Sequence, residues 1–158
     1  MNRKVLYVDQ GKCTGCRMCE QWCSLTHFGV INPAKARIRI VRDHFEQVDS
    51  SFYCHQCEDA PCINACPPKI NALSRDEKTG AVEVDQEKCI GCRRCQKACV
   101  HGAIRMHPSE KYVLICDLCG GDPQCLKHCP EKAIQYKEPD EIHDSIPDTI
   151  AEQEVKRA

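Results

Sequence analysis

The sequence predicts a small α+β protein made of two similar modules, related by pseudo-two-fold symmetry and folded around its cysteines. Three observations carry that prediction. Sixteen of the 158 residues are cysteine, far above ordinary usage, and they fall into four runs of four. The first and third runs repeat one another, both within and outside the cysteines. Short apolar fragments flank the runs, so that the unit reads strand, cysteine loop, short helix, strand.

The first run is Cys13, Cys16, Cys19 and Cys23, spaced C-x2-C-x2-C-x3-C. The second is Cys54, Cys57, Cys62 and Cys66, spaced C-x2-C-x4-C-x3-C and followed by Pro67. The third, Cys89, Cys92, Cys95 and Cys99, repeats the first spacing. The fourth is Cys116, Cys119, Cys125 and Cys129, spaced C-x2-C-x5-C-x3-C and followed by Pro130. Asp9-Gln10-Gly11-Lys12-Cys13-Thr14-Gly15-Cys16-Arg17 reads beside Asp85-Gln86-Glu87-Lys88-Cys89-Ile90-Gly91-Cys92-Arg93. Strand candidates precede these copies at Val5–Val8 and Ala81–Val84. Others follow three of the runs at Ala103–Met106, Ala133–Tyr136 and, less clearly, Asn71–Leu73.

A chain this polar, with a mean hydropathy of −0.50 and 5% aromatic residues, needs cross-linking by disulfides or metal. Disulfides call for a secreted context, and the start Met1–Asp9 has neither a long apolar stretch nor a cleavage site. Cysteines two or three residues apart also pair poorly within a run, so the crowding points to metal. The net charge of −1 spreads 22 basic and 23 acidic residues along the chain, with no basic block or aromatic platform for nucleic acid. No apolar run is long enough to span a membrane. Without a leader, the expected compartment is the cytoplasm.

The spacing then selects the metal. Four-cysteine zinc sites join two C-x2-C knuckles across a longer linker. Here the third cysteine comes after two, four or five residues, and every run ends in x3-C. That is the pattern of [4Fe–4S] cubanes, in which C-x2-C-x2-C wraps three corners. The fourth cysteine, expected at the start of a short helix, points away and ligates the other cluster of a pair. Gly15 and Gly91 suit a loop that turns tightly with N–H groups facing the sulfurs. The proline after the fourth cysteine is replaced by Ser24 and Val100 in the first and third runs. The expected cofactors are four [4Fe–4S] clusters on all sixteen cysteines.

With those residues in view, the chain resembles the four-cluster ferredoxin-like subunits of molybdenum and tungsten pterin oxidoreductases and some hydrogenases. The likeness covers residues 1 to about 137. It is carried by Cys54-His55-Gln56-Cys57-Glu58-Asp59-Ala60-Pro61-Cys62, by Ile115-Cys116-Asp117-Leu118-Cys119-Gly120-Gly121 and by the loop Asn32–Ile38. In size it is most similar to the small iron–sulfur subunit of bacterial tungsten-dependent aldehyde oxidoreductases. The resemblance implies that the first run pairs with the fourth and the second with the third. Cys13, Cys16 and Cys19 would then share a cluster with Cys129, and Cys116, Cys119 and Cys125 one with Cys23. Cys54, Cys57 and Cys62 would be joined by Cys99, and Cys89, Cys92 and Cys95 by Cys66. It implies two ferredoxin-like modules: an outer one from residues 1–49 and 109–137, an inner one from 50–108, and a C-terminal tail of 138–158.

The implied function is electron transfer between a catalytic subunit and a second redox partner, such as a flavin subunit or another acceptor. No nucleophile–base constellation or nucleotide motif is readable, so the chain is expected not to be an enzyme by itself. A free soluble polyferredoxin is the alternative. Formate dehydrogenase, hydrogenase and sulfoxide-type reductase partners are open too. Arg17, Arg93, Arg94 and Lys97 lie beside the runs, as tuning charges or as solvated faces. Trp22 would shield the first cluster or fill core, and His55 and His128 neighbour cluster cysteines. The acidic tail carries Ile142, Ile146 and Ile150 as an apolar edge, for docking or as a frayed end.

Overall fold

A computed structural model describes residues 3–43, 45 and 48–143. The chain runs β1 (Val5–Val8), α1 (Met18–Phe28), a 3₁₀ turn (Pro33–Lys35), β2 (Arg39–Asp43), β3 (Val48–Phe52), α2 (Pro61–Asn64), β4 (Leu73–Arg75) and β5 (Val82–Val84). It continues through α3 (Arg94–Ala98), β6 (Arg105–Met106), β7 (Val113–Leu114), a kinked 3₁₀ turn (Leu118–Gly121), α4 (Gln124–Lys127), β8 (Ile134–Lys137) and α5 (Pro139–His143). It is a small mixed α/β domain whose strands pair in twos.

The antiparallel pairs tie distant parts of the chain together. β1 meets β8 with Val5 opposite Lys137 and Val8 opposite Ile134, so the strand before the first run pairs with the strand after the fourth. β4 meets β5 with Leu73 opposite Val84, closing the second run against the start of the third. β2–β3 and β6–β7 are local hairpins that follow the first run and the third. In β1 the apolar residues Val5, Leu6 and Val8 are buried, and in β4 and β5 only Leu73 and Val82 are.

The two copies of the repeat fold alike. Asp9 N–H donates to Ala133 O at 2.8 Å, and Asp85 N–H donates to Ala72 O at 2.8 Å. Cys13 and Cys89 N–H donate to the carbonyls of Asp9 and Asp85 at 3.1 and 3.0 Å. The glycine and the arginine on either side of the second cysteine take left-handed φ values of 66° and 60° in the first copy, 69° and 62° in the second.

The helices correct one expectation. Each begins before or at the third cysteine of its run, not at the fourth: Cys19, Cys62, Cys95 and Cys125 lie inside α1, α2, α3 and α4. A left-handed residue two positions before the third cysteine (Arg17, Ala60 or Arg93) turns the chain into three of them. Cys66 and Cys129 fall beyond α2 and α4, and Cys99 caps α3. Helices of four or five residues are not stable alone, so the cysteines must hold them. α1 differs, running for eleven residues to a Gly29 cap whose N–H donates to Leu25 O at 2.8 Å.

Cysteine makes up a large part of the interior. Seven cysteines are buried, beside Leu6, Ile38, Ile104, Val113, Ile115 and others, in one cluster.

Candidate metal centres

The sulfurs gather around four small cavities of similar size. Cys13, Cys16, Cys19 and Cys129 line the first. Cys23, Cys116, Cys119 and Cys125 line another. The remaining two are lined by Cys54, Cys57, Cys62 and Cys99 and by Cys66, Cys89, Cys92 and Cys95. Each cavity takes three cysteines from one run and the fourth from a different run. Near-equal volumes with equal donor sets suit four copies of one occupant.

The backbone explains how each loop presents its sulfurs. In all four C-x2-C turns the residue just before the second cysteine has positive φ: Gly15 (66°), Gln56 (50°), Gly91 (69°) and Leu118 (57°). That conformation turns the N–H inward. Gly15, Gln56 and Leu118 hydrogen-bond the sulfurs of Cys13, Cys54 and Cys116. The residue after each third cysteine does the same for Cys19, Cys62, Cys95 and Cys125. Arg37 N–H donates to Cys23 Sγ at 3.2 Å and Ala72 N–H to Cys66 Sγ at 3.4 Å. Rings of N–H groups around sulfur stabilise negative charge there, as a metal thiolate site requires.

Without metal the more buried of these sulfurs resist ionisation. Burial, reinforced by neighbouring acidic groups and thiols, pushes Cys19 and Cys54 up to about 12 and Cys95 up to about 11. Burial raises Cys116 and Cys125 as well. All sixteen cysteines are free of disulfides. Converging sulfurs, many of them buried, with N–H donors aimed at them fit a bound metal.

Two polar arrangements hold the loops in place, and the sequence reading missed both. Gln56, fully buried, donates from Nε2 to Cys116 O at 2.7 Å and accepts from Val82 N–H at 2.8 Å. It therefore bridges the second run, the fourth run and β5. Asp117 accepts from His27 Nε2 at 3.0 Å and from Cys119 N–H at 3.0 Å, and it pairs with the buried Arg37. The other ring nitrogen of His27 faces Cys23 O at 2.8 Å. Burial alone would lower the His27 pKa, but hydrogen bonds to Asp117, Cys119 and Cys23 outweigh it and raise it to about 12. Asp117 is held well below the usual carboxylate range: its burial is overridden by His27 and Arg37.

The remaining side chains singled out in the sequence pack against these loops. Trp22 stacks on His128 with centroids 3.4 Å apart. His55 stacks between Tyr53 and His101, at 4.5 and 3.8 Å. Arg17 donates to the buried Glu20 at 2.8 and 3.2 Å, while Arg93, Arg94 and Lys97 are exposed. Ile142 lies in α5, and Ile146 and Ile150 lie outside the described residues.

The model of the 4Fe–4S dicluster domain matches residues 47–139, more than half of the chain. The chain belongs to that family. As a 4Fe–4S dicluster protein with sixteen cysteines in four sets, it fits four [4Fe–4S] clusters. It is 48% identical over 126 residues to the polyferredoxin-like subunit of an aliphatic sulfonate oxidoreductase from Pyrococcus furiosus, covering 80% of this chain and 71% of that one. It is 38% identical over 154 residues to the putative electron transport protein YsaA of Escherichia coli, covering 90% and 94%. With the electron transport protein HydN of the same species it shares 34% over 159 residues, covering 85% and 87%. A chain of the active site complex BamBC of benzoyl coenzyme A reductase has the same fold, with a TM-score of 0.51 at 23% identity over 97% of this chain and 96% of that one.

Proposed function

We propose that this chain is a non-catalytic electron-transfer subunit that connects a catalytic oxidoreductase subunit to a second redox partner. The observation that carries the reading is the order of the cavities. Cys125 and Cys19 lie close enough for their charges to interact, as do Cys116 and Cys54, and Cys95 and Cys62. Named by the run that supplies three of its cysteines, each cavity therefore neighbours the next in the order first, fourth, second, third, which we read as a row. Of the sixteen cysteines only Cys16 and Cys92 are exposed, one in each terminal cavity.

The ligand sets we assign are Cys13, Cys16, Cys19 with Cys129; Cys116, Cys119, Cys125 with Cys23; Cys54, Cys57, Cys62 with Cys99; and Cys89, Cys92, Cys95 with Cys66. Bound clusters supply one-electron storage, at potentials that range over roughly −700 to +450 mV among such proteins. The chain's own residues hold the sulfurs, exclude water from the inner cavities and leave one sulfur accessible at each end. The outer module comprises residues 1–49 and 109–137, and the inner one 50–108, with β1–β8 and β4–β5 in equivalent places. The matching bonds of Asp9 and Asp85 support a pseudo-two-fold relation between them. The β2–β3 and β6–β7 hairpins link the two across the boundaries. Residues 138–158 form the tail.

The catalytic partner we propose is a molybdenum or tungsten pterin oxidoreductase, in the first place a tungsten-dependent aldehyde oxidoreductase. The name of the Pyrococcus relative favours an enzyme acting on aliphatic sulfonates as the second reading. Among the described residues no helix is long and apolar enough to cross a membrane. We place the complex in the cytoplasm.

The test is a metal count on the complex purified anaerobically from its native host. About sixteen irons on this chain, with tungsten in the same peak, is the expected result. Molybdenum or nickel would keep the relay and change the partner. Iron with no second protein would favour a free polyferredoxin, and zinc in place of iron would overturn the assignment.

A further inference from the structure

One wide cleft has no part in holding sulfur. It encloses about 570 Å³ and is lined by four arginines, Arg17, Arg39, Arg42 and Arg105, against one carboxylate, Asp49. Its floor includes Gly15, in the loop that carries the exposed Cys16. The cleft thus opens beside the accessible end of the first cavity.

The charges in it do not balance. Arg42 is taken by Asp49, at 2.8 Å, and Arg17 by Glu20, at 2.8 Å. The other Glu20 oxygen accepts from Ile40 N–H at 2.7 Å, so that one carboxylate is shared between Arg17, this backbone group and the field at Arg39. Arg39 and Arg105 have no carboxylate partner among the described residues. Arg39 is fixed over the Phe52 ring at 4.5 Å, and its Nε is buried without a hydrogen-bond partner. Arg105 makes one long contact, to Pro33 O at 3.4 Å. The two guanidinium groups repel each other: burial first, then Arg105, lowers the pKa of Arg39, against a smaller opposing effect of Glu20. Two like charges that the shared Glu20 carboxylate offsets only in part destabilise the free protein, and an added oxyanion between them removes that cost.

We propose that this arginine cleft is the docking site for an acidic surface of a redox partner, whose carboxylates pair with Arg39 and Arg105 and bring it against the Cys16 end of the row. The proposal rests on the electron-transfer reading and names the kind of partner that end accepts. Guanidinium forks recognise carboxylates in a bidentate manner, and a positive cleft steers an acidic protein to one face. The exposed Val41 on the cleft supplies the apolar rim expected of a protein contact rather than of a small-anion pocket.

The experiment is calorimetric titration of the cluster-loaded protein with a deca-glutamate peptide at low ionic strength. Expected is one saturable site, weakened at least about tenfold by Arg39→Gln with Arg105→Gln. Removing the same charge outside the cleft, by Lys69→Gln with Lys78→Gln, leaves affinity within about twofold. If the double arginine variant fails to load iron, Arg105→Gln alone carries the test, with about a threefold loss expected. No binding by the wild type, or equal weakening by both pairs, overturns the proposal. Displacement of the peptide by inorganic phosphate at matched charge also overturns it, by making the cleft a small-oxyanion site. Iron content and dithionite reduction are recorded on the same samples. A fully loaded, reducible protein that ignores the peptide loses the docking site and keeps the relay.

Discussion

The first and third cysteine loops have the same spacing and the same left-handed residues, yet they sit in different surroundings. Each exposes its second cysteine, Cys16 or Cys92. After the first loop the chain makes the eleven-residue α1 and the β2–β3 hairpin, which lean Arg42 and Asp49 over Gly15. After the third it makes only the five-residue α3 and the short β6–β7 pair, which brings the backbone of Lys111 over Gly91. The repeat specifies how four sulfurs are held. The chain between the repeats specifies what can approach them, and so the two ends of the row offer different surfaces: an arginine cleft at one, the exposed Ile90 at the other.

The harshest way to break the comparison is to remove what both loops share. Chelating iron from the holoprotein should abolish cooperative thermal unfolding of the whole chain, because helices of four or five residues and two-stranded sheets do not stand without the cross-links. A metal-free protein with a sharp calorimetric transition would show that the loops fold independently of their occupants.

Gly91 and Gly15 separate the two surroundings. A Cβ at Gly91 would run into the Lys111 carbonyl oxygen, a backbone atom, whereas at Gly15 it would meet the ends of the Arg42 and Asp49 side chains. Both substitutions carry left-handed strain of about 1–2 kcal/mol. Gly91→Ala adds an overpacking cost of about 1–3 kcal/mol, which Gly15→Ala avoids by displacing flexible side chains. The guanidinium concentration that bleaches half of the visible cluster absorbance should fall further for Gly91→Ala. Equal losses would mean that the two loops are the same in their surroundings as well as in their sequence.

Gln56 extends the comparison to the other runs. It has the φ of Gly15 and Gly91 but adds a side chain that satisfies Cys116 O and Val82 N–H. Gln56→Gly relieves strain of about 1–2 kcal/mol, adds the entropic cost of glycine, about 0.5–1 kcal/mol, and leaves two buried groups unpaired at about 1–3 kcal/mol each, a net loss of about 0.5–6 kcal/mol. The same bleaching assay checks it, and a stabilised variant would mean that the bridge contributes nothing.

Gln56 also marks where the sequence stops being legible. Cysteine spacing, the repeat and the flanking apolar fragments identify the loops and four of the paired strands, because those depend on local pattern. Val5–Val8 is a strand to the residue, and β5 and β8 lie within one residue of their fragments. That a glutamine and a leucine take the place of glycine in the second and fourth turns is not readable. Their strain is offset by contacts far along the chain: Gln56 with Cys116, and Leu118 in a fully buried position. The Asp117–His27–Arg37 arrangement is hidden for the same reason, since Asp117 lies ninety positions after His27. The arginine cleft joins β2 to Arg105 on β6, and no spacing rule connects them.

The smallest expected effects lie at Arg17 and Arg93, which share a left-handed conformation and differ in what they touch. Arg17 holds a carboxylate that is 1% exposed, while the Arg93 guanidinium has no partner among the described residues. Arg93→Gly removes backbone strain of about 1–2 kcal/mol and adds the entropic cost of glycine, about 0.5–1 kcal/mol, so it should stabilise the holoprotein by up to about 1.5 kcal/mol. Arg17→Gly gains the same and strips one partner from the buried Glu20, a loss of about 1–3 kcal/mol that turns the sign. Opposite shifts in the half-bleaching concentration are therefore expected from one substitution at two equivalent positions. Shifts of the same sign would place the difference between the two loops elsewhere than in the Arg17–Glu20 pair.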